Sequence, residues 1–323
     1  MSLEKILILG VTASGKGRVA FKLAEKLGAE IISIDSMKVY RRMNIGTAKP
    51  PKEALQQVRY HLIDVVEPSE SFSVGTFLKM AQDAIKQITN RNIPIIAVGG
   101  TALYIKALLY GLFEGPGANL QLRAKLKKRA EAEGLRSLYQ ELTQIDPVAA
   151  ERISSNDAKR IIRALEIYHL TGKPISDFQK QWMTEDGLAV AGTATNDRGR
   201  KNCDWTIIGL RREKAQENKR INARVKKMIS DGIVDEVKSL LAEEKLMSPQ
   251  AQSAIGYAEI IDYLNGRYNL EDSVELIKKN TRRLAKHQRT WFKTFRDVNW
   301  IDIEPDESAE KIISRAAKLV ETL

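Results

Sequence analysis

Residues 10–16 of this 323-residue chain restrict the possible folds more than any other segment. Gly10, Gly15 and Lys16 have the spacing of a phosphate-binding P-loop, with an apolar run before them at residues 5–9 and a helical pattern after them. Such a loop turns backbone N–H groups and a helix N-terminus toward a phosphate, and an ordinary glycine-rich turn is the alternative. The pattern predicts diphosphate binding by Gly10, Thr12, Ala13, Ser14, Gly15, Lys16 and Gly17.

Further apolar runs predict a parallel sheet. They span residues 30–34, 93–98 and 206–210. Strands that alternate with helices are typical of a parallel sheet, and its right-handed crossovers bring the loops at the carboxyl ends of the strands together. We therefore expect residues 10–16, Asp35 and residues 99–101 to converge.

The pattern changes between Gly115 and Gly172, where helices are predicted without strands. Residues 184–202, rich in Gly, Thr, Asn and Asp, are interpreted as a mobile connection, and from Glu213 onward the chain is again predicted to be helical. The predicted fold is α/β, with a P-loop NTPase-like parallel sheet core, an inserted all-helical subdomain and a helical C-terminal region. The predicted divisions are 1–114 for the first part of the core, 115–203 for the insertion with its connection, and 204–323 for the remainder.

Charge and composition favour an anionic partner. The 52 Lys and Arg residues exceed the 41 Asp and Glu residues, so the net charge is +11, which suits nucleic acid or phosphate. The single Cys203 excludes an internal disulfide, and the three scattered histidines lack zinc-site spacing. Because no signal peptide, membrane helix or long apolar heptad repeat is visible, we expect a cytoplasmic monomer without membrane contact.

Several segments beyond the P-loop carry a more specific resemblance. They are residues 35–40, 43–49, 60–64, 72–74, 98–104, 156–157, 163–166, 254–257 and 281–291. With these motifs in order along nearly its whole length, the chain resembles the tRNA dimethylallyltransferases, also called tRNA isopentenyltransferases. The resemblance implies transfer of a dimethylallyl group from dimethylallyl diphosphate to N6 of the adenosine just 3′ of the anticodon in tRNA.

The resemblance also implies roles in catalysis. Asp35 would accept the N6 proton, because an adenine amine is a poor nucleophile, although a helix-capping or Mg²⁺-shell role is the alternative. Lys16 and the loop N–H groups would stabilise the leaving diphosphate, and Thr101 would donate its hydroxyl to the diphosphate or to Asp35, or cap a helix. Arg220 best matches the family's diphosphate-binding arginine, and Arg224 is the second candidate.

Two departures from the family pattern bear on this chemistry. Gly17 stands where Ser or Thr would place a hydroxyl on Mg²⁺, so the Mg²⁺ that the resemblance implies would depend on diphosphate oxygens, waters and a carboxylate. Lys38 replaces a usual Gln or apolar residue and would either lower the pKa of Asp35 or contact RNA. The metal ligands therefore stay open.

The most basic segment lies near the C-terminus, where residues 278–296 contain eight Lys or Arg residues and no acidic residue. On a helix, one face would hold Arg282, Lys286, Arg289 and Lys293, and an apolar face would hold Ile277, Leu284, Trp291 and Phe295. The basic face would follow RNA phosphates, although a solvated helix face is the alternative. The insertion has a second basic group at Arg123, Lys125, Lys127, Lys128 and Arg129.

Together with the family motifs, these patterns imply contacts with the tRNA anticodon stem-loop. The implied residues are Asp35, Ser36, Lys38, Asn156, Asp157, Arg160, Arg163, Arg282, Lys286 and Arg289. Tyr40 and Tyr104 would line an isoprenoid pocket or pack in the core. Two other functions stay open: a P-loop small-molecule kinase, and a catalytically impaired relative that binds tRNA without modifying it.

Overall fold

A computed structural model describes residues 4–112, 115–179 and 205–321. Contacts between Cα atoms divide the chain into two compact units, one of residues 1–109 and 202–323 and the other of residues 110–201. The sequence divisions near residues 115 and 203 lie close to this split, and the predicted connection at 184–202 lies outside the described residues. The assignment of a function to each division stays a prediction.

The first unit contains a sheet that, in the described part of the chain, has six strands, all parallel, in the order β3-β2-β4-β1-β5-β6. The strands are β1 (Lys5–Gly10), β2 (Glu30–Ile34), β3 (Tyr60–His61), β4 (Ile95–Gly99), β5 (Trp205–Arg212) and β6 (Val298–Ile303). The predicted parallel α/β core is confirmed. The sequence patterns did not predict the short β3.

The described residues form helices before β4, between β4 and β5, and after β5. The first four are α1 (Lys16–Leu27), α2 (Lys52–Gln57), α3 (Val74–Asn90) and α4 (Ala102–Tyr110). The next five are α5 (Leu120–Glu133), α6 (Leu135–Ile145), α7 (Pro147–Arg152), α8 (Ala158–Thr171) and α9 (Ile175–Phe178). The last six are α10 (Lys214–Ser230), α11 (Ile233–Leu241), α12 (Pro249–Gln252), α13 (Tyr257–Leu264), α14 (Leu270–Phe292) and α15 (Ala309–Glu321).

The central strands are apolar on both faces because helices cover both. Side chains alternate across a strand, so Ile6 and Ile8 of β1 share one face, where they join the core formed with α1 and α15. Two further helices contact the sheet: α3 packs against β2 and β4, and α14 packs against β1. The carboxyl ends of β1, β2 and β4 are thereby brought side by side.

The prediction of an entirely helical region after Glu213 is wrong at β6. This edge strand pairs in parallel with β5, buries Ile301 and Ile303, and exposes the intervening Asp302, which pairs with Arg211 of β5. Alternation over so few residues gives a weak sequence signal beside a long basic helix. β6 is a strand because it pairs with the edge of β5, and the local sequence does not reveal that pairing.

The second unit is helical throughout its described residues, as predicted, and α5, α6 and α8 supply its apolar core. Within it lies a fully buried carboxylate, Glu166 of α8, which accepts hydrogen bonds from Arg123, Arg163 and the backbone N–H of Asn119. Burial raises the pKa of Glu166, but these hydrogen bonds outweigh burial and hold the pKa below its usual value. Glu166 therefore ties the start of α5 to α8.

We expect Glu166→Ala to destabilise this unit by about 3 kcal/mol, because it leaves two arginines and a backbone N–H without their partner. The measurement is denaturant unfolding, with protease cleavage of the insertion as a local readout. Arg160→Ala is the control, since its ion pair with Asp157 is exposed and contributes under about 1 kcal/mol. Equal stabilities of the two variants would contradict the assignment.

The pH dependence of this contribution has a defined sign. Because the folded-state pKa of Glu166 is lowered, its contribution is fully present above the unfolded pKa near 4.5 and is lost as the pH falls through the lowered folded pKa.

Candidate functional site

The P-loop turns tightly between β1 and α1. Gly15 has φ of +100°, a left-handed conformation that a side chain would strain, and α1 begins at Lys16. Lys16 Nζ donates to the carbonyl of Val11 at 3.2 Å. Burial, followed by the charges of Lys38 and Arg224, lowers the pKa of Lys16 to about 7. A bound anion would therefore find a desolvated amine ready to take up a proton.

Asp35 directly follows β2 and serves as a local backbone acceptor. Its Oδ1 accepts the N–H groups of Met37 at 2.9 Å and Lys38 at 3.2 Å, which holds the turn after the strand. From the end of β4, Thr101 Oγ1 accepts the N–H of Ser36 at 3.3 Å and keeps its own hydroxyl proton for donation. The expected convergence of residues 10–16, Asp35 and residues 99–101 is confirmed.

Helix α10 brings two arginines to the P-loop. Arg220 Nε donates to the carbonyl of Ala13 at 2.7 Å, and Arg224 Nη1 donates to Thr12 Oγ1 at 3.2 Å. Burial lowers the pKa of Arg224, and the charge of Asp35 opposes that change. Both sequence candidates therefore contact the loop, and the side chain buried beside Asp35 is that of Arg224.

These groups open onto one cavity of about 830 Å³ within the first unit. Its charged lining includes Lys16, Asp35, Lys38, Arg220 and Arg224. Apolar lining comes from Phe21, Pro50, Ala54, Ile63 and Val98. A polar end with an excess of cations beside an apolar wall suits a ligand that joins a diphosphate to a short hydrocarbon.

Gln288 of α14 links the P-loop to β4, and sequence reasoning did not single it out. Its Oε1 accepts the N–H of Thr12 at 2.8 Å, and its Nε2 donates to the carbonyl of Gly100 at 2.8 Å. A Cβ at Gly100 would lie 2.6 Å from Gln288 Nε2, so a side chain there would displace the amide. Gln288 lies inside the family motif at residues 281–291, which was the available signal.

We expect Gln288→Leu to raise the Kd for pyrophosphate about tenfold, because two buried backbone groups lose partners and the P-loop loses its support. Isothermal titration calorimetry measures the change. The exposed neighbour His287 provides the control, His287→Leu, which should bind pyrophosphate as the unchanged protein does. An unaltered Kd in Gln288→Leu would contradict the positioning role.

Residues of three other family motifs make structural contacts outside the cavity lining. Tyr257 donates to Glu236 Oε1 at 2.6 Å, and Glu236 also accepts N–H groups from Asn44, Ile45 and Gly46. Tyr40 and Tyr104 are buried outside the cavity lining, and Tyr104 stacks on Phe77 at 4.4 Å between ring centroids. The core-packing interpretation of both tyrosines is therefore the one the structure supports.

The predicted faces of α14 need correction. Leu284 is 39% exposed, and Trp291 is half-buried, whereas the buried side holds Ile277, Thr281, Ala285, Gln288 and Phe292. Arg289 does not extend the basic face freely, since it forms an ion pair with buried Glu217 of α10. The helix turns this side inward because it packs on α10, α13 and β1. Lys286 and Lys293 are exposed, and Arg282 is half-buried.

In the second unit, the residues predicted to bind RNA have internal contacts. Asp157 caps α8 by accepting the N–H of Arg160, and Arg163 donates to Glu166 and to the carbonyl of Pro116. Asn156 is exposed and lines a polar cavity with Arg136 and Tyr139. Contact of these residues with RNA stays a prediction.

A Mg²⁺ ion finds few protein ligands in the cavity. Gly17 has no side chain, Asp35 is the acidic residue of the described lining, and cations surround it. The described residues contain no cluster of three or more His, Cys, Asp or Glu side chains that could hold a metal ion. In phosphate sites Mg²⁺ keeps several waters and takes one or two carboxylates or hydroxyls besides the phosphates, so the missing hydroxyl and the cations around Asp35 make this set a poor fit for the ion. None of the helices described has the length and apolar character needed to cross a bilayer.

Comparison with known proteins gives consistent matches. The IPP transferase family model matches residues 38–295, and the isopentenyl transferase model matches residues 3–67. The chain is 42% identical to the tRNA dimethylallyltransferase of Caldanaerobacter subterraneus subsp. tengcongensis over 319 residues, which cover 97% of this chain and 96% of that one. It is also 42% identical to the tRNA dimethylallyltransferase of Pelotomaculum thermopropionicum, over 98% and 96% of the two chains.

Solved structures agree. The tRNA isopentenylpyrophosphate transferase of Bacillus halodurans superposes with a TM-score of 0.67 and 36% identity, over 99% of this chain and 97% of that one. A eukaryotic dimethylallyltransferase acting on tRNA gives a TM-score of 0.76 at 26% identity, over 99% of this chain and 80% of that one. The fold of this chain is thus similar to those of solved tRNA isopentenyl- and dimethylallyltransferases.

Proposed function

The chain belongs to the IPP transferase family, and from this we propose that it transfers the dimethylallyl group of dimethylallyl diphosphate to N6 of the adenosine just 3′ of the anticodon in tRNA. The observation that carries the proposal is the single cavity onto which the P-loop Lys16 and the carboxylate of Asp35 both open. The ammonium of Lys16 can stabilise the leaving diphosphate, and the carboxylate of Asp35 can accept a proton from the nucleophile. Dimethylallyl transfer to tRNA is the activity for which the relatives are named.

In the proposed step, N6 of the adenosine forms a bond to C1 of the dimethylallyl group while the bond from C1 to the diphosphate oxygen breaks. Asp35 accepts the N6 proton, and its fixed position at the end of β2 supports this role. The adenosine must leave its stack to reach the cavity, as bases generally do in enzymes that modify them.

The leaving diphosphate gains negative charge as the C1–O bond breaks. The charge is stabilised by Lys16, Arg220 and the N–H groups of the P-loop, and Thr101 donates its hydroxyl to the diphosphate. The proposed step does not depend on the Mg²⁺ that the sequence predicted, because the cavity residues supply a poor ligand set for the ion.

Binding of tRNA is assigned to exposed basic side chains, of which Lys286 of α14 and Lys293, at the C-cap of that helix, are the clearest. Phosphate contacts add affinity without reading sequence, so bases in the anticodon loop would set specificity. Action on tRNA agrees with a cytoplasmic location, and a monomer stays the expected state.

The direct test incubates the protein with dimethylallyl diphosphate and an anticodon stem-loop RNA, and then measures the RNA mass. We expect a gain of one dimethylallyl group with adenosine 3′ of the anticodon and none with guanosine there. RNA binding without a mass gain would favour the impaired relative, and phosphorylation of a small molecule by ATP without RNA would favour a kinase. The names of the relatives favour neither alternative.

The α14 surface makes a separate prediction. Lys286→Ala with Lys293→Ala should weaken binding of the stem-loop and reduce the slope of log affinity against log salt by about 1 to 2, if each lysine contacts a phosphate. Filter binding over a range of salt concentrations measures this slope. Lys79→Ala with Lys86→Ala, at two exposed lysines of α3, is the charge-matched control and should leave the slope unchanged.

A further inference from the structure

Gly17 and Lys38, the two departures that bear on the chemistry of the site, lie on the same cavity. Gly17 removes the hydroxyl through which a P-loop holds Mg²⁺ beside the diphosphate. Lys38 adds an ammonium to the same cavity from the loop that follows β2. The chain therefore loses a metal ligand and gains a cation at one site.

Lys38 is held where its charge acts on this site. Its backbone N–H donates to Asp35 Oδ1 at 3.2 Å, and its carbonyl accepts the N–H of Asp64 at 3.2 Å. The side chain is partly buried and shares the cavity with Lys16 and Arg224. Burial lowers the pKa of Lys38, Asp35 opposes this change, and Arg224 adds to it, so the charges act on one another.

The described lining of this cavity carries more positive charge than its one carboxylate, Asp35, can neutralise. Other basic lining residues are already paired: Arg18 with Glu310, Lys22 with Glu25, and Lys227 with Asp231. Asp35 faces Lys16, Lys38 and Arg224. A desolvated group of like charges is unfavourable when empty and becomes favourable when a multiply charged anion enters. The same group repels a divalent cation.

We propose that Lys38, together with Arg224, supplies the positive charge that a P-loop hydroxyl would bring through Mg²⁺, so that this chain binds the donor's diphosphate without a divalent ion. The inference rests on the proposed function, since the diphosphate is that of the prenyl donor. An ammonium acts as a point charge and needs no fixed coordination geometry. The guanidinium of Arg224 adds a planar fork of donors at the same end.

The test measures the Kd for inorganic pyrophosphate by calorimetry, with EDTA or with Mg²⁺ at matched ionic strength. We expect the unchanged protein to bind with Kd values that agree within about threefold in the two buffers. Lys38→Gln should bind at least about tenfold more weakly in EDTA, and Lys38→Arg should bind within about threefold of the unchanged protein. Lys79→Gln, an exposed lysine outside the cavity, is the matched control.

A double variant provides the converse test. No atom lies within 4 Å of a Cβ built at Gly17, so the threonine of Gly17→Thr fits there. Gly17→Thr with Lys38→Gln should bind pyrophosphate weakly in EDTA and regain at least about tenfold in Mg²⁺. Thermal unfolding of each variant verifies that it is folded.

Three results would overturn the proposal: a tenfold gain from Mg²⁺ in the unchanged protein, unaltered binding by folded Lys38→Gln, or equal weakness of the double variant in both buffers. None of these measurements uses RNA or requires transfer. A protein that modifies tRNA but needs Mg²⁺ for pyrophosphate therefore refutes this inference alone. Pyrophosphate binding in EDTA without any tRNA modification refutes the proposed function alone.

Discussion

Asp35→Asn is expected to lower the rate of dimethylallyl transfer by about 10²- to 10⁴-fold, the range for removing a positioned proton acceptor. Asparagine keeps an oxygen that can accept the N–H groups of Met37 and Lys38, so the turn after β2 should persist. Single-turnover transfer to the stem-loop RNA, followed by mass, measures the rate. Pyrophosphate should bind as tightly as before or more tightly, because the cations lose an opposing charge.

Asp35→Ala separates the two roles of this carboxylate, because alanine removes both the proton acceptor and the backbone acceptor. If Asp35 is the base, the asparagine and alanine variants should both lose transfer. If the capping role dominates, Asp35→Asn should keep near-full activity and only Asp35→Ala should fail. That second pattern would refute the assignment of the base.

The affinity for pyrophosphate is expected to fall above pH 7, by up to tenfold per pH unit. The pKa of Lys16 is lowered to about 7 in the free protein, so its amine is mostly charged at pH 6 and mostly neutral at pH 8. A bound diphosphate raises that pKa again, so binding above pH 7 takes up a proton. Linkage then requires that affinity decreases as the pH rises.

Calorimetry in buffers with different ionisation enthalpies measures this proton uptake. Lys16→Met binds pyrophosphate without the titrating amine, so its pH profile contains the protonation of pyrophosphate and of other side chains. The difference between the two profiles reports the Lys16 amine together with its coupling to Lys38 and Arg224. A flat difference between pH 6 and pH 9 would contradict the lowered pKa. Lys16→Met should also bind pyrophosphate at least about tenfold more weakly at pH 6.

Local patterns were sufficient for the core of the fold. The apolar runs predicted β1, β2, β4 and β5, the first three of which end at loops of the site, and the P-loop needs only a strand before it and a helix after it. The helical insertion was also visible, because its amphipathic helices have their own core. Short elements were not visible: β3 has two residues, and β6 alternates over six.

The contacts of individual side chains were harder to predict from the sequence than the helices and strands. Periodicity grouped Arg289 with Lys286, but a pattern cannot reveal that α10 presents the buried Glu217 to it. Gln288 is polar and lies in a basic segment, so nothing local separates it from its exposed neighbours. Its importance follows from a P-loop N–H that is 276 positions away in the chain.

By itself, then, the sequence determined the P-loop, the four longer central strands with the helical insertion, and the family, because those depend on short-range spacing and on motifs in series. Only the tertiary structure decided which charges meet. Lys16, the Asp35–Lys38 loop and Arg224 come from three separate segments, and their joint effect on pKa depends on burial in a common cavity. Burial and the Coulomb energy between charges depend on distance in space, which separation along the chain does not specify.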